Sequence, residues 1–466
     1  MSETQLPSNW SSSALEELLD FVVGGDWGKD PEFADDDYLI VRCIRGSEFR
    51  NWKTDKGRTA SIRKVKKSSI ETRRLCHGDI LVEISGGGPD QPVGRTVLID
   101  SDSLAQHKEL DKVCTNFLRL ARPNRHIDSS YLNYFLQCFY NSGEITNYQS
   151  GSNNLRNLKF KEYISISIPL APLNEQIRIA NKLDSLLAKV DTAQARLERI
   201  PTLLKRFRQS VLAAATSGEL TREWRGDAEF GITVRIGDLT TDIRYGTSKK
   251  CSYDEGDIAV LRIPNIGDGK IDAGDLKFAY FDKDEKEKLS LKRGDILIIR
   301  SNGSVELVGK AALVSDKDNG YLFAGYLIRI RFSDDVQVVP KYILFCFQSP
   351  VVRNVVELNA RSTSGINNIN SKELAALEIN LPSTVEQTEI VRRVESLFAL
   401  ADTVEKQYLA AKQRLDRLSQ SLLAKAFRGE LVPQDPNDEP AAELLKRIQA
   451  ERQAQPAAKQ KRSKPA

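Results

Sequence analysis

The sequence predicts an α+β protein in which two similar mixed α/β domains are separated by two long antiparallel coiled-coil helices, a pseudo-twofold inverted repeat. Three observations carry this. From Asn174 to Leu220 one apolar seam recurs: Ile179, Leu183, Leu186, Val190, Ala193, Leu197, Ile200, Leu204, Phe207 and Val211 stand alternately four and three apart. That is a heptad seam, narrower than an ordinary globular face. The stretch then returns 211 positions later, Glu386-Gln387 for Glu175-Gln176, Gln420-Ser421 for Gln209-Ser210 and Gly429-Glu430-Leu431 for Gly218-Glu219-Leu220. Its seam also returns, as Ile390, Val394, Leu397, Ala401, Val404, Tyr408, Ala411, Leu415, Leu418 and Leu422. Finally, the sequence before each helix repeats in outline.

Taken in order, residues 1–150 form the first domain. A short helix is expected over Ser13–Leu19, a turn at Gly24–Gly28, a strand over Tyr38–Arg42 and a polar, basic region from Glu48 to Ser69. A strand, Gly78–Ile84, opens into a run of three glycines, which permits positive φ and close backbone approach. An apolar helix covers Tyr131–Phe139, and a turn covers Ser150–Asn154. Residues 151–220 form the first helical spacer, with Pro201 inside the helix, where it removes a backbone bond and should kink or break the helix at a cost of ~3 kcal/mol. The second copy has Lys412 there, so the two helices need not be equally straight.

Residues 221–365 form the second domain: Ile236–Leu239 answers Leu15–Leu18, Val260–Ile263 answers Ile40–Cys43, Gly294–Ile298 answers Gly78–Val82, and Tyr342–Gln348 answers Tyr131–Gln137. Residues 366–432 form the second spacer. Residues 433–466 are a C-terminal tail, partly disordered, with a short helix over Glu439–Gln453 and a basic end from Gln455 to Ala466. A compact second domain has its termini close together, which turns the second helix back along the first. Each helix of about 43 residues spans ~65 Å. Two domains on such a spacer suit a target with two separated half-sites, such as duplex DNA contacted about one turn (~34 Å) apart.

The 466 residues, 40% hydrophobic and 28% charged, describe a globular chain of several domains. No apolar run reaches the ~18 residues of a membrane span. The N-terminus lacks the pattern of a secretion signal. Six scattered cysteines, none in a CxxC pair, point to a reducing cytoplasm, and three histidines without metal spacing argue against a metal site. A net charge of +4 is too small to identify a nucleic-acid partner by itself.

No catalytic residue is expected. Gly303–Ala311 has one residue too many for a phosphate loop and Ala in place of Ser/Thr, and reads as strand–turn–strand. Neither a dinucleotide GxGxxG nor HExxH nor GxSxG occurs. Asp284–Lys288 reads as a solvated face.

Binding candidates cluster instead. In the first domain, Arg50, Lys53, Lys56, Arg58 and Arg63 lie among Asn51, Trp52 and Thr54, a mixture suited to phosphates and base edges, with a solubilising loop as the plainer reading. Ser85 and Gly87 begin the glycine loop that follows the strand. In the second domain the candidates are Arg244, Tyr245, Thr247, Lys249, Lys250, Asn265, Arg300, Asn302 and Ser304. Arg300 is equally a candidate structural ion-pair partner, and both loops are equally readable as plain turns. Leu187, Leu203 and Leu212 lie off the seam and widen the apolar surface, which suggests docking of partner subunits, or a tertiary contact with the chain's own domains.

These residues resemble a known family, the specificity subunit of type I restriction–modification enzymes. The resemblance rests on Ile168–Gln176 leading to Leu203–Leu212 and Gly218–Thr221, on Val385–Gln387 with Ala426–Leu431, and on Tyr245–Ser248, Val260–Ile266 and Gly294–Leu297. It implies two target recognition domains reading a bipartite double-stranded DNA sequence, and helices that act as a ruler and dock two modification (methyltransferase) subunits. Those partners would bind S-adenosylmethionine and methylate adenine, and restriction subunits would supply ATP- and Mg-dependent translocation and cleavage. This chain would bind no cofactor and act in bacterial defence as a non-catalytic subunit. The alternative from another class is a coiled-coil scaffold with two protein-binding domains. A single-chain nuclease–methyltransferase fits poorly, because no catalytic domain precedes the repeat.

Overall fold

The computed structural model describes residues 6–88, 91–152, 155–360 and 366–454. The chain forms two compact units. One comprises residues 1–195 with 411–466, the other residues 196–410. Each unit is built from the same parts.

In the first unit an antiparallel sheet runs in the order Leu19–Gly24, Leu118–Pro123, Ile80–Glu83, Thr96–Leu98. A second sheet has Tyr38–Ile44 between Ser61–Lys66 and Lys112–Cys114, the last pairing parallel. In the second unit the order Thr240–Tyr245, Leu327–Phe332, Ile296–Ile299, Ala311–Leu313 recurs, extended by the short Gly269–Lys270. Ile258–Leu261 likewise lies between Lys277–Ala279 and the parallel Leu322–Phe323. The Ile80–Glu83 and Ile296–Ile299 strands are buried along their whole length, as expected of continuous apolar runs. Next to each, a buried aspartate takes a bidentate arginine: Asp79 with Arg122 (2.6 and 2.8 Å) and Asp295 with Arg331 (2.8 and 2.6 Å).

The expected helix over Ser13–Leu19 is corrected. Ser11–Ala14 is a strand paired with Ser167–Leu170, Leu15–Leu18 is one 3-10 turn, and Leu19 begins the next strand. Burial of Leu15 and Leu18 on a short turn satisfies the same apolar spacing as a helix. Ile236–Leu239 is the matching 3-10 turn. The turn expected at Ser150–Asn154 is partly strand, since Gln149–Ser152 pairs with Leu155–Leu158; Asn153 and Asn154 lie outside the described residues.

Pro201 breaks the first long helix as its missing N–H requires. One helix ends at Leu197 and another begins at Ile200, with the proline in its first turn. Thr384–Ala426, with Lys412 at the equivalent place, is continuous over 43 residues. In the second unit Ile200–Ser217 and the first part of that helix run antiparallel: Arg225 meets Glu386, and Arg208 meets Asp402 (2.7 Å) and Glu405 (2.9 Å). The Arg225–Glu386 pair is largely buried, whereas the two Arg208 pairs reach solvent and are worth about 0–1 kcal/mol each. The seam enters a domain core at Ile179 and Leu183 in the first unit and at Val211, Ile390 and Val394 in the second.

A buried glutamine anchors each long helix. Gln176 Nε2 donates to the Ala171 carbonyl (2.8 Å), and its Oε1 accepts from the Asp128 amide (2.9 Å). Gln387 donates to the Pro382 carbonyl (2.8 Å) and accepts from the Val339 amide (2.8 Å). Nearby, the hydroxyls of Tyr131 and Tyr342 donate to the carbonyls of Pro169 and Asn380, both at 2.6 Å.

Within the stretch read as a tail, Ala441–Ala454 is a helix that buries Ala441, Leu444 and Ile448 in the first unit. Before it, Asp438 is buried against Arg178 (2.6 Å) and Asn174 (3.2 Å). The Arg178 hydrogen bond, chiefly, holds the Asp438 carboxyl below its usual range. Its stabilisation is therefore complete above the ordinary aspartate pKa and fades as pH falls below it. Residues 455–466 lie outside the described residues.

Replacing Gln176 with Ala leaves the Asp128 amide and Ala171 carbonyl unpaired, at a cost of about 1–3 kcal/mol. Hydrogen exchange should accelerate at Asp128 and remain unchanged at Val339; equal exchange at both sites would refute a local anchor. Phe427 is buried against the rings of Tyr131 and Phe135, each 5.2 Å away between centroids. Phe427→Ala should destabilise the first unit by about 3–5 kcal/mol in chemical denaturation.

Candidate nucleic-acid interface

The buried strands Ile80–Glu83 and Ile296–Ile299 lead into the same hydrogen-bonded node. In the second unit the Arg300 amide donates to the Tyr326 carbonyl (3.0 Å), the Ile369 amide to the Arg300 carbonyl (2.8 Å), and the Leu327 amide to the Ala324 carbonyl (2.9 Å). In the first unit Ile84 donates to Phe117 (2.9 Å), Leu158 to Ile84 (2.8 Å) and Leu118 to Thr115 (2.9 Å). From each node leaves a short ribbon, Ser301–Asn302 on Asn367–Asn368 and Ser85–Gly86 on Arg156–Asn157.

Several expected candidates converge at the second node. The Arg300 guanidinium stacks 4.4 Å over the Tyr245 ring, and its Nε donates to Asn368 Oδ1 (3.2 Å). The Tyr245 hydroxyl accepts from the Ser371 amide (3.0 Å). Burial pushes the Tyr245 phenol up, but the Ser371 hydrogen bonds and the Arg300 charge outweigh it and hold it below its ordinary value. Asn302 Oδ1 caps the Ser304 amide (2.9 Å), and the Asn367 side chain donates to the Gly303 carbonyl (3.0 Å). Thr247 is held against this node by its amide on Phe323 (2.8 Å) and its carbonyl under Gly325 (2.7 Å). Lys250 follows it, exposed and with no ion-pair partner among the described residues. Ser85 and Gly87 occupy the first node; Gly87 has φ +73°, and an added Cβ would press on the Gln91 carbonyl.

Other candidates are spent inside the fold. Asn265 is buried; its side chain accepts from the Arg262 amide (2.8 Å) and donates to the carbonyls of Asp272 and Asp275 (2.8 Å each), which makes it structural. Lys249 binds Glu285 (2.6 Å) and lies over Phe281, and Arg244 binds Asp242 (3.1 Å). In the first domain's basic region, Arg63 stacks on Trp27 (4.4 Å) and pairs with Asp30, Lys56 pairs with Asp100, Arg58 with Asp55 (3.3 Å), and Lys53 with Asp191 of the long helix (2.8 Å). Arg50 is exposed and, among the described residues, is the one of these five candidates without an ion-pair partner. Four of these five cations are therefore held in ion pairs within the fold, Lys53, Lys56 and Arg63 by carboxylates distant in sequence and Arg58 by one in the same turn.

The docking candidates also divide. Leu212 is buried in the second unit's core, and Leu187 packs against the first unit's core, so both take the tertiary role. Leu203 is 58% exposed, and Leu400, Leu409 and Leu418 of the second long helix are exposed as well. Reading the sequence missed Phe117 and Tyr326, the exposed aromatics of the two nodes. The pairing Phe117-Leu118 with Tyr326-Leu327, 209 positions apart, is the signal that marks them.

Both nodes lie in segments, 7–202 and 232–412, that match the type I restriction modification DNA specificity domain. Two copies of that domain define a class of protein with two DNA recognition domains. The specificity subunit of the type I enzyme EcoKI of Escherichia coli is 35% identical over 479 residues and covers 100% of both chains. That of StySPI from Salmonella potsdam is 34% identical over 469 residues, 97% of both chains. The chain belongs to the specificity subunits of type I restriction–modification systems. Its fold agrees with the HsdS subunit of Thermoanaerobacter tengcongensis, TM-score 0.57 at 20% identity over 92% of this chain and 99% of that one. A chain from a type I R-M assembly gives TM-score 0.63 at 17% identity, over 92% and 100%. The family match to both domains sets aside the scaffold alternative. Among the described residues no helix is long and apolar enough to cross a membrane, and no group of three His, Cys, Asp or Glu is placed to hold a metal.

Arg63→Ala should destabilise the fold by about 1 kcal/mol and leave the salt dependence of DNA binding unaltered. Lys250→Ala should leave stability within about 0.5 kcal/mol and reduce the salt slope by about one. Denaturation and salt titration separate the two; an unchanged slope removes Lys250 from the interface.

Proposed function

We propose that each unit reads one half of a bipartite duplex DNA sequence, and that the long helices set the gap between halves and carry two modification subunits. The observation that supports this best is the repetition of one node, in one DNA specificity domain, twice in a single chain. Arg300, Asn302, Ser304, Tyr245, Thr247 and Lys250 in the second unit, and Arg50, Ser85 and Gly87 in the first, are the residues we assign to DNA. Leu203 is the docking residue we retain. The chain itself contributes recognition and no catalysis: S-adenosylmethionine and adenine methylation belong to the modification subunits, and ATP and Mg to restriction subunits, in the cytoplasm.

Combining the chain with its modification subunits should methylate one bipartite sequence, with methylated adenines mapped across the source genome. Methylation that persists unchanged without the chain refutes the reading. Deleting four residues from the first long helix shortens it by ~6 Å, and the preferred gap should shift by about 2 bp. An unaltered gap refutes the ruler. Leu203→Glu should weaken capture of the modification subunit with little effect on the chain's own melting.

A further inference from the structure

Phe117 and Tyr326 occupy equivalent places in their nodes and are both exposed, at 51% and 64%. Single exposed apolar residues are ordinary on a protein surface. Here the exposure is repeated, and each ring sits on a turn that is fixed on both sides. The carbonyl of each aromatic accepts from the residue just after the Ile80–Glu83 or Ile296–Ile299 strand, Ile84 or Arg300, and the residue after the aromatic donates back across the turn, to Thr115 or Ala324. The neighbouring strand is brought close by a glycine: a Cβ at Gly25 would overlap the Thr115 carbonyl, and one at Gly246 the Phe323 carbonyl. Each ring is thus displayed on a pre-organised turn, with little freedom left to lose on binding.

A second repeated exposure accompanies the first. Leu155 and Ile366, 211 positions apart, are 49% and 60% exposed at the start of the strand that pairs with each node's ribbon. In the second unit these apolar groups share the node with the Arg300 guanidinium, the Asn302, Asn367 and Asn368 amides, and the segment leading to Lys250. Cations and amides beside a rigid ring match a phosphate backbone beside base faces.

Resting on the reading of the two units as DNA readers, we infer that Phe117 and Tyr326 are apolar wedges, one per half-site, that press between bases and unstack a step of the duplex. The shared feature of the two residues is the ring, and only one carries a hydroxyl, so the contact is with a base face. Unstacking a step kinks the duplex, a known use of apolar side chains.

The test uses the full chain assembled with its modification subunits and the duplex that the wild-type complex selects, carrying 2-aminopurine at successive positions. Wild type should raise the fluorescence at one step in each half-site. F117A should abolish the rise in one half-site and Y326A in the other, each weakening binding about tenfold or more with an unchanged salt slope. F117Y and Y326F keep the ring and should behave as wild type, and melting curves confirm that all four variants fold. Alanine variants that bind and unstack like wild type overturn the wedge while the half-site reading stands. Affinity lost on replacing thymine with uracil, with no fluorescence rise in wild type, overturns it in favour of a methyl contact. A wild-type complex that selects no sequence overturns both readings.

Discussion

The fold depends on how a long helix is tied to a domain without a covalent crosslink. Gln176 and Gln387 do this by satisfying the carbonyl before the helix and the amide at the start of the domain's own helix, and Gln387 also donates to the Gln337 carbonyl. Both amides are fully buried, so the alternative to these bonds is an unpaired polar group rather than a hydrated one. The glutamate before each glutamine is reused differently. Glu175 accepts from the Trp10 indole (3.0 Å), whereas Glu386 accepts from Thr221 and Arg225 (2.7 Å each). The anchor is kept while its surroundings diverge.

Much of the architecture was legible in the sequence. The 211-residue offset, the apolar seam and the Gly-Asp-Ile-Leu strands each report local requirements: a helix face, a glycine turn, a buried strand. The break at Pro201 was legible for the same reason, since a missing N–H acts where it stands. Leu15–Leu18 was misread because an apolar pair three apart fits a 3-10 turn as well as a helix.

The candidate interface was legible only in part. Tyr245, Arg300 and Asn302 were singled out and are brought together, but residue type does not disclose a distant partner. Lys53 looks like a phosphate ligand until Asp191, 138 positions away, is found beside it, and Asn265 until its whole amide proves to be used internally. Phe117 and Tyr326 escaped notice for the opposite reason: an aromatic residue beside leucine reads as core, and only the turn geometry turns it outward.

The order of the parts along the chain has a consequence for synthesis. The second unit is continuous in sequence, from residue 196 to 410, while the first needs residues 411–454 to complete its core. Pro7 rests on Gly429, and the Asn9 carbonyl accepts from Ala441. On the ribosome, the sequence that begins first must wait for the last helix, with Tyr131 and Phe135 uncovered until Phe427 arrives. The unit that starts later can close before it. Vectorial folding therefore runs out of sequence order here, and the interval of exposed apolar surface is set by translation of the stretch from Phe135 to Phe427, at roughly 5–20 residues per second.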